Sequence, residues 1–402
     1  MKHVVVVGAG QAGSALVAKL RAEGFSGSIV LIGAEDVAPY NRPRLSKAYL
    51  LGEASLERLL LRPASFYADN RIDLRLATTV AAIDRAARRV VLADGESLPY
   101  DALALTTGAV PRRMPAAVGG ALAGVFVLRA RDDADALAAE IAPGRRVLVV
   151  GGGYVGLEAA AVCAQKGMAV TLVEIAPRIL GRVACAETAD YFRALHRAHG
   201  VDIREGVALE RLLGEGRVTG ALLADGTRLE ADLVVAGLGI EPDVALAQAA
   251  GLALENGIRT DEFGRTSDPA IFAAGDCASF PHEGRRIRLE SVGNAIAQAE
   301  AAALAMLGRP TPYRAMPWFW SDQYDCKLQI AGLGTGHDRI VVRGEGAARS
   351  HWYYAGARLI AVDAMNDARA YMTGKRLIES GRSPPPEAVA DPAIDLKALA
   401  AL

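Results

Sequence analysis

One pattern constrains this chain more than any other, because it occurs twice. His3 to Val7 is a short apolar, β-branched run, broken by Gly8-Ala-Gly10-Gln-Ala-Gly13 and followed by a helical stretch from Ser14 to Glu23. A second apolar run, Ser28 to Ile32, closes with Glu35 and Asp36. The same order returns 143 residues on: Arg146 to Val150, then Gly151-Gly152-Gly153-Tyr154-Val155-Gly156, a helix through Leu157 to Gln165, and Ala169 to Val173 ending in Glu174. Apolar β-branched runs of this length suit buried parallel strands. Strand, glycine turn, helix, strand and acid is the order in which a βαβ unit offers backbone N–H groups to a pyrophosphate. A lone glycine pattern is weak evidence. Two in full βαβ context, each with an acid near the end of its second strand, predict an α/β fold with two Rossmann-like dinucleotide-binding domains.

Each unit carries an antiparallel excursion ahead of a returning strand. After the first come Leu76 to Asp84 and Arg89 to Leu92, the turn Ala93-Asp94-Gly95, and Leu103 to Thr107 leading into Gly108. After the second come Asp202 to Leu213 and Thr219 to Leu223, the turn Ala224-Asp225-Gly226, and Leu233 to Leu238 leading into Gly239. Ile271 to Cys277 reads as another buried strand, ahead of a helix from Ser291 to Leu307. From Pro317 the texture changes. Trp318-Phe319-Trp320 concentrates aromatics, four short strand patterns lie between Lys327 and Val362, and a helix from Ala368 to Ser380 completes an α+β C-terminal domain. Ser383 to Leu402 reads as surface chain, partly disordered. The expected division is 1–108 with 235–316, 109–234, and 317–402.

Composition excludes several classes. At ~150 residues per domain, 402 residues hold two to three domains. Forty-five basic against 46 acidic side chains leave a net charge of −1, so no overall field favours nucleic acid or an acidic membrane. The four cysteines form no CxxC or CxxxxC pair, which argues against a local iron–sulfur cluster, a zinc site or a redox dithiol. Six histidines are spread without ligand spacing, so no metal site is expected. A strand starting at His3 and the absence of a long apolar run point to a cytoplasmic protein without a membrane span.

In the first unit Gly8, Gly10 and Gly13 permit the tight turn, the pyrophosphate approach and helix-on-strand packing, and Glu35 accepts from ribose hydroxyls. In the second, Gly151, Gly153 and Gly156 repeat this. Glu174 accepts from a ribose 2′-hydroxyl and repels a 2′-phosphate, favouring NADH over NADPH, with Arg178 and Arg182 nearby as opposing charges.

Two nucleotide sites suggest two cofactors, and other segments then carry a resemblance. Tyr40-Asn-Arg-Pro-Arg-Leu-Ser-Lys47-Ala-Tyr-Leu, Thr107-Gly108-Ala109, Gly237-Leu-Gly239-Ile-Glu-Pro-Asp, Ala274-Gly275-Asp276, Glu290-Ser-Val-Gly-Asn-Ala and Pro317-Trp-Phe-Trp-Ser-Asp-Gln-Tyr-Asp together resemble the FAD-dependent NADH:ferredoxin reductases of glutathione-reductase fold. The likeness implies FAD on the first unit, with Gly8, Gly10, Gly13, Glu35, Arg44, Lys47, Val80, Thr107, Gly108, Arg129, Asp276, Val292 and Trp320 as contacts. It implies NADH on the second, with Gly151, Gly153, Gly156, Glu158, Glu174 and Gly239. By the same likeness Lys47 lies near flavin N5, Glu158 is its partner and the two are catalytic; Asp276 holds the ribityl chain.

The resemblance further implies electron delivery to a [2Fe–2S] ferredoxin that serves a P450 or a ring-hydroxylating dioxygenase. Arg285, Arg286 and Arg288 form the clearest basic cluster for such an acidic partner. The competing readings are a rubredoxin reductase and a redox-sensing FAD/NADH-binding protein resembling apoptosis-inducing factor. Disulfide reductases and NADH peroxidases of this fold place a cysteine in the flavin loop; Tyr40 to Leu51 contains none.

Overall fold

The computed structural model describes residues 1–399, which divide into two compact units. The first comprises Met1–Asn41, Leu56–Val110 and Ile240–Pro317. Its centre is a five-stranded parallel sheet in the order Ile271–Ala273, Ala102–Leu105, His3–Val7, Ser28–Ile32 and Ile72–Arg75. Side chains alternate across a strand, and both faces are covered. Val4 and Val6 pack with Leu16, Leu20, Ala299 and Ala302 from the helices Gln11–Ala22 and Val292–Met306. Val5 and Val7 pack with Val90, Leu92 and Leu98 from the antiparallel strands Val80–Asp84, Arg89–Leu92 and Ser97–Pro99.

The second unit comprises Arg42–Ser55, Pro111–Gly239 and Trp318 onward. Its parallel sheet runs Asp202–Glu205, Ala169–Glu174, Arg146–Val150, Leu233–Ala236 and Val125–Phe126. Val147 and Val149 meet Leu157, Ala160 and Cys163 of the helix Tyr154–Gln165, while Leu148 and Val150 meet Leu212, Ala221 and Leu223. A five-stranded antiparallel sheet follows, in the order Trp318–Gln323, Cys326–Gly332, Arg358–Met365, Ala348–Ala355 and Arg339–Glu345. The helix Ala368–Glu379 lies on it, with Ala370 and Leu377 beside Trp352 and Val362.

Three expectations need correcting. The run Leu76 to Asp84 is not one strand: Ala77 takes a left-handed φ of 47°, turning the chain between Ile72–Arg75 and Val80–Asp84. Asp202 to Leu213 breaks likewise at Gly206, φ 70°. The tail after Ser383 is structured through Leu399, with short helices Pro386–Ala390 and Leu396–Leu399. Val389, Leu396 and Leu399 are buried, and the Arg343 guanidinium donates to the carbonyls of Val389, Asp391 and Ile394 at 2.6–2.9 Å. The expectation for the last three residues, 400–402, lies outside the described residues.

No helix among the described residues is long and apolar enough to cross a membrane. All four cysteines are free and buried. Burial pushes the thiols of Cys163 to about 12 and of Cys185 and Cys326 to about 11.

Candidate active site

In both parallel sheets the chain reverses its strand order beside the first strand of the unit, and ligands of such sheets bind at the carboxyl ends of the strands flanking that point. The glycine turns sit there. Gly8 has φ 110°, and a Cβ on it would lie 2.2 Å from the Thr106 carbonyl oxygen; Gly151 has φ 106° and would meet the Gly237 oxygen at 2.4 Å. A Cβ on Gly13 would strike the Gly8 oxygen at 2.2 Å, and one on Gly156 the Gly151 oxygen at 2.1 Å. These positions are closed by the protein itself.

The middle glycines are different. Gly10 (φ −101°, ψ −157°) and Gly153 (φ −80°, ψ 178°) have backbone angles that any residue adopts. A Cβ on either meets nothing within 4 Å. Both precede helices that begin without a side-chain cap, so the first backbone N–H groups face open space. An anion fits that cradle at each helix start.

Around the first turn, Gly275 has its Cβ position 3.1 Å from Ala12 Cβ, which brings the Gly275–Asp276 turn to the start of the first helix. Gln298 accepts from the Gly275 N–H at 2.9 Å, yet its own buried amide nitrogen has no partner, and neither has buried Asn41 Oδ1. Val292 opens a helix capped by Ser291, whose hydroxyl accepts from Asn294 N–H at 3.2 Å. Thr107 donates to the Asp243 carbonyl at 2.6 Å, and the Gly108 carbonyl accepts from Asp243 N–H at 2.9 Å. Val80 is a core side chain beside Val90 and Leu92, leaving its backbone as the contact it can offer.

The two acids do not occupy matching positions. Ala77 N–H donates to Glu35 O and Thr78 N–H to Gly33 O; in the second unit Gly206 N–H donates to Ala176 O and Val207 N–H to Glu174 O. Glu174 therefore stands where the first unit has Gly33, and Glu35 where the second has Ala176. Glu35 accepts from the Tyr40 hydroxyl at 2.7 Å. Glu174 accepts from Gly152 N–H and Ala176 N–H, both at 2.7 Å, which fixes its carboxylate at the lip of the glycine turn. Arg178 is tied to the carbonyls of Ala184 and Cys185 at 2.9 and 3.0 Å. Arg182 is exposed, with its guanidinium 3.6 Å from the Cβ position of Gly239, φ 90°.

The second unit also holds Arg44, Lys47, Arg129, Glu158 and Trp320. Lys47 sits in a wide helical turn, Leu45–Tyr49, with its own backbone out of the helical region at φ −131°, ψ −113°. Its ammonium lies 2.7 Å from Glu158 Oε2 and donates to the Pro43 carbonyl at 3.0 Å; the side chains are 12 % and 3 % exposed. Glu158 also accepts from Ser46 at 2.5 Å and from Ser321 at 2.6 Å. A buried carboxylate is tolerable when ionic and hydrogen-bonding partners surround it, and this one has three. Trp320 stacks on Trp318 at 5.5 Å, while Phe319, on the other face of the strand, packs against Tyr154 at 4.8 Å. Arg44 is exposed; the Arg129 carbonyl accepts from Arg42 at 3.3 Å. Sequence reasoning gave Ser46 and Ser321 no role. Ser321 was within reach: it follows Trp320, so strand alternation turns it to the opposite face.

Arg285, Arg286 and Arg288 are not a free basic patch. Arg286 pairs with Glu255 at 3.1 Å and donates to backbone carbonyls of Thr260 and Ser279; Arg288 pairs with Glu290 at 2.7 Å and donates to the Asp276 carbonyl. Only Arg285 of the three is exposed. No group of His, Cys, Asp and Glu among the described residues has the arrangement of a metal site.

A parallel sheet with an open glycine turn at its point of strand reversal, present twice, defines a protein built on two dinucleotide-binding folds. Residues 2–299 match the profile of the pyridine nucleotide-disulphide oxidoreductases, and residues 318–400 that of the reductase C-terminal domain; the chain belongs to this oxidoreductase family. It is 42 % identical to putidaredoxin reductase of Pseudomonas putida, over 99 % of this chain and 97 % of that protein. It is also 42 % identical to the ferredoxin–NAD(+) reductase component of the anthranilate 1,2-dioxygenase system of Burkholderia cepacia, over 98 % of each. The crystal structure of the ferredoxin reductase for the CYP199A2 system from Rhodopseudomonas palustris superposes with a TM-score of 0.96 at 40 % identity, covering 100 % of both chains.

Proposed function

We propose that this chain is an FAD-dependent NADH:ferredoxin oxidoreductase that feeds a [2Fe–2S] ferredoxin serving a P450 or a ring-hydroxylating dioxygenase. Family membership supports the reductase class, and the named roles of the relatives support the acceptor. The observation that carries the reading is the buried Lys47–Glu158 pair in a protein whose four thiols are all buried and unpaired. The loop that carries Lys47, Tyr40 to Leu51, contains no cysteine for a disulfide relay. The unpaired thiols also fit a reducing compartment such as the cytoplasm.

The cradles fit two dinucleotides. At Gly10 and Gly153 the backbone is bare and the N–H groups of an uncapped helix start are free to receive a pyrophosphate. FAD is assigned to the first turn, with Glu35 accepting from its ribose, and NADH to the second. Glu174 accepts from the NADH ribose and disfavours a 2′-phosphate, while Arg178 is held away by backbone carbonyls. The remaining contacts proposed for FAD are Arg44, Val80, Thr107, Gly108, Arg129, Asp276, Val292 and Trp320, and for NADH Gly239.

When bound, FAD supplies the exchange between a two-electron hydride donor and a one-electron carrier. The protein's part is electrostatic. Lys47 holds a positive charge in a nearly dry setting, where it opposes developing negative charge more strongly than it would in water. Glu158 keeps that ammonium in place and is itself steadied by Ser46 and Ser321.

Anaerobic mixing of the FAD-loaded protein with NADH, followed by [2Fe–2S] ferredoxin and cytochrome c, tests the reading. Rapid bleaching of the flavin band and ferredoxin-dependent cytochrome reduction are expected. Bleaching too slow to sustain turnover, with no dependence on ferredoxin, rejects it in favour of a redox sensor; turnover with rubredoxin alone changes the acceptor.

A further inference from the structure

Glu158 is the inner end of a longer buried chain that reaches the protein surface. Ser321 Oγ lies 2.6 Å from Glu158 Oε1, Gln323 Nε2 lies 3.0 Å from Ser321 Oγ, and His196 Nε2 lies 2.7 Å from Gln323 Oε1. Tyr324 OH then lies 3.3 Å from His196 Nδ1. Glu158, Ser321, Gln323 and His196 are all at most 3 % exposed. Tyr324 stacks on His199 with centroids 3.6 Å apart, and both line an open cleft of about 800 Å³. Tyr324 also adopts φ 55° in the two-residue connection between Gln323 and Cys326. That conformation suits Asn or Gly, and a tyrosine in it signals a local constraint.

The direction of every link follows from one charge. An ammonium only donates, so Lys47 makes Glu158 Oε2 an acceptor, and Ser46 shares that oxygen. If Glu158 is a carboxylate, Oε1 accepts too, and Ser321 spends its single proton there. Ser321 must then accept from the Gln323 amide nitrogen, which turns the Gln323 carbonyl to His196. His196 must carry its proton on Nε2, leaving Nδ1 to accept from Tyr324. A neutral Glu158 would place its proton on Oε1 and reverse each link: Ser321 donates to a rotated Gln323, and His196 carries its proton on Nδ1.

We propose that Ser321, Gln323 and His196 are positioning residues for the Lys47–Glu158 pair, forming a one-way series of donors that holds Glu158 as an oriented carboxylate. This rests on the assignment of that pair to hydride transfer. An amide in the series prevents simple proton hopping, so the device fixes charge and orientation and does not conduct protons. Burial lowers the His196 imidazole to about 4, which keeps it neutral and lets its tautomer follow the series. Lys47, from the turn, and Tyr154, on the same helix as Glu158, are titratable groups near that carboxyl; the buried Tyr154 hydroxyl has no partner and is pushed upward by burial. Asp322 faces away from Ser321 across the strand.

The tautomer of His196 in the FAD-loaded, ¹⁵N-histidine-labelled protein reads the series directly by NMR. Wild type is expected to show the Nε2–H form. In Glu158→Gln the amide oxygen stays with Lys47, its NH2 faces Ser321, and His196 is expected to switch to Nδ1–H. Adding Ser321→Ala should abolish that switch. Ser321→Ala alone should slow flavin reduction by NADH about fivefold with NADH affinity unchanged, and Ser321→Thr should restore it. An Nδ1–H form in wild type, or a tautomer indifferent to Glu158→Gln, overturns the proposal. Should NADH fail to reduce the wild-type protein at all, the oxidoreductase reading falls while the tautomer result still stands on its own.

Discussion

The two units repeat one turn and differ in what they bury. In the first, the buried polar side chains among the described residues are Ser14, Thr106, Thr260, Ser279, Asn294 and Gln298, none of which carries charge. In the second they include Glu158, His196, His351 and Asp363. A glycine turn and a helix start are enough to offer an anion a seat, so the repeated part is made of backbone. Fixing a charge needs side chains supported from several elements, and these are confined to the unit that carries the antiparallel sheet.

The largest expected effects strike the closed glycines. Gly8→Ala drives a Cβ into the Thr106 carbonyl from a positive φ, and Gly151→Ala does the same at Gly237. The first should cut flavin retention at least ~30-fold and the second should raise the NADH KM by a similar factor without loss of flavin. Flavin absorbance per chain and steady-state kinetics check both. If Gly151→Ala sheds flavin instead, the assignment of the two turns is reversed.

Gly10→Ala and Gly153→Ala are gentler and more telling. Neither added methyl meets protein within 4 Å, so thermal midpoints of the unliganded variants should move by no more than ~2 °C. Affinity for FAD in one and NADH in the other should fall about tenfold. A drop in midpoint with affinity intact would show that the open space is structural.

Three buried ionisable groups of the second unit, His196, His351 and Asp363, predict an acid pH response there. Burial lowers His196 and His351 to about 4, so the unfolded chain takes up protons there and stability rises with pH from about 4 to 6.5. Burial raises the Asp363 carboxyl to about 6, which acts in the opposite sense below that pH. The sum is an uptake of about one proton on unfolding near pH 5, or roughly 1.4 kcal/mol per pH unit. All three tryptophans, Trp318, Trp320 and Trp352, belong to this unit, so their fluorescence during urea unfolding isolates it. His351→Gln should flatten the slope.

The smallest effect separates the acids. Glu174→Ala should lower the preference for NADH over NADPH about fivefold, whereas Glu35→Gln should leave that ratio alone. Equal responses would contradict the division of labour between the turns.

Local pattern made much of this architecture readable. Runs such as His3–Val7 and Arg146–Val150 are buried on both faces, so their composition alone betrays them, and Gly13 and Gly156 are dictated by the carbonyls of Gly8 and Gly151, five residues earlier in each turn. What escaped depends on distant partners. Ala77 breaks a strand because its N–H and that of Thr78 bond back to Glu35 and Gly33. The tail is ordered by Arg343, some 50 residues earlier, and a charge cluster such as Arg285–Arg288 looks free until Glu255 and Glu290 are seen beside it. Lys47 was visible only through a motif resemblance; Ser321 reaches its partner Glu158 across 163 residues, and His196 joins Gln323 across 127.

The buried thiols have a practical consequence. With Cys163, Cys185, Cys277 and Cys326 all enclosed and their thiolates disfavoured, reagents that alkylate exposed thiolates should leave the folded protein untouched. A single cysteine introduced at an exposed site would then be a unique handle. A dye, a spin label or a gold electrode could be attached there without rebuilding the protein's own sulfur chemistry.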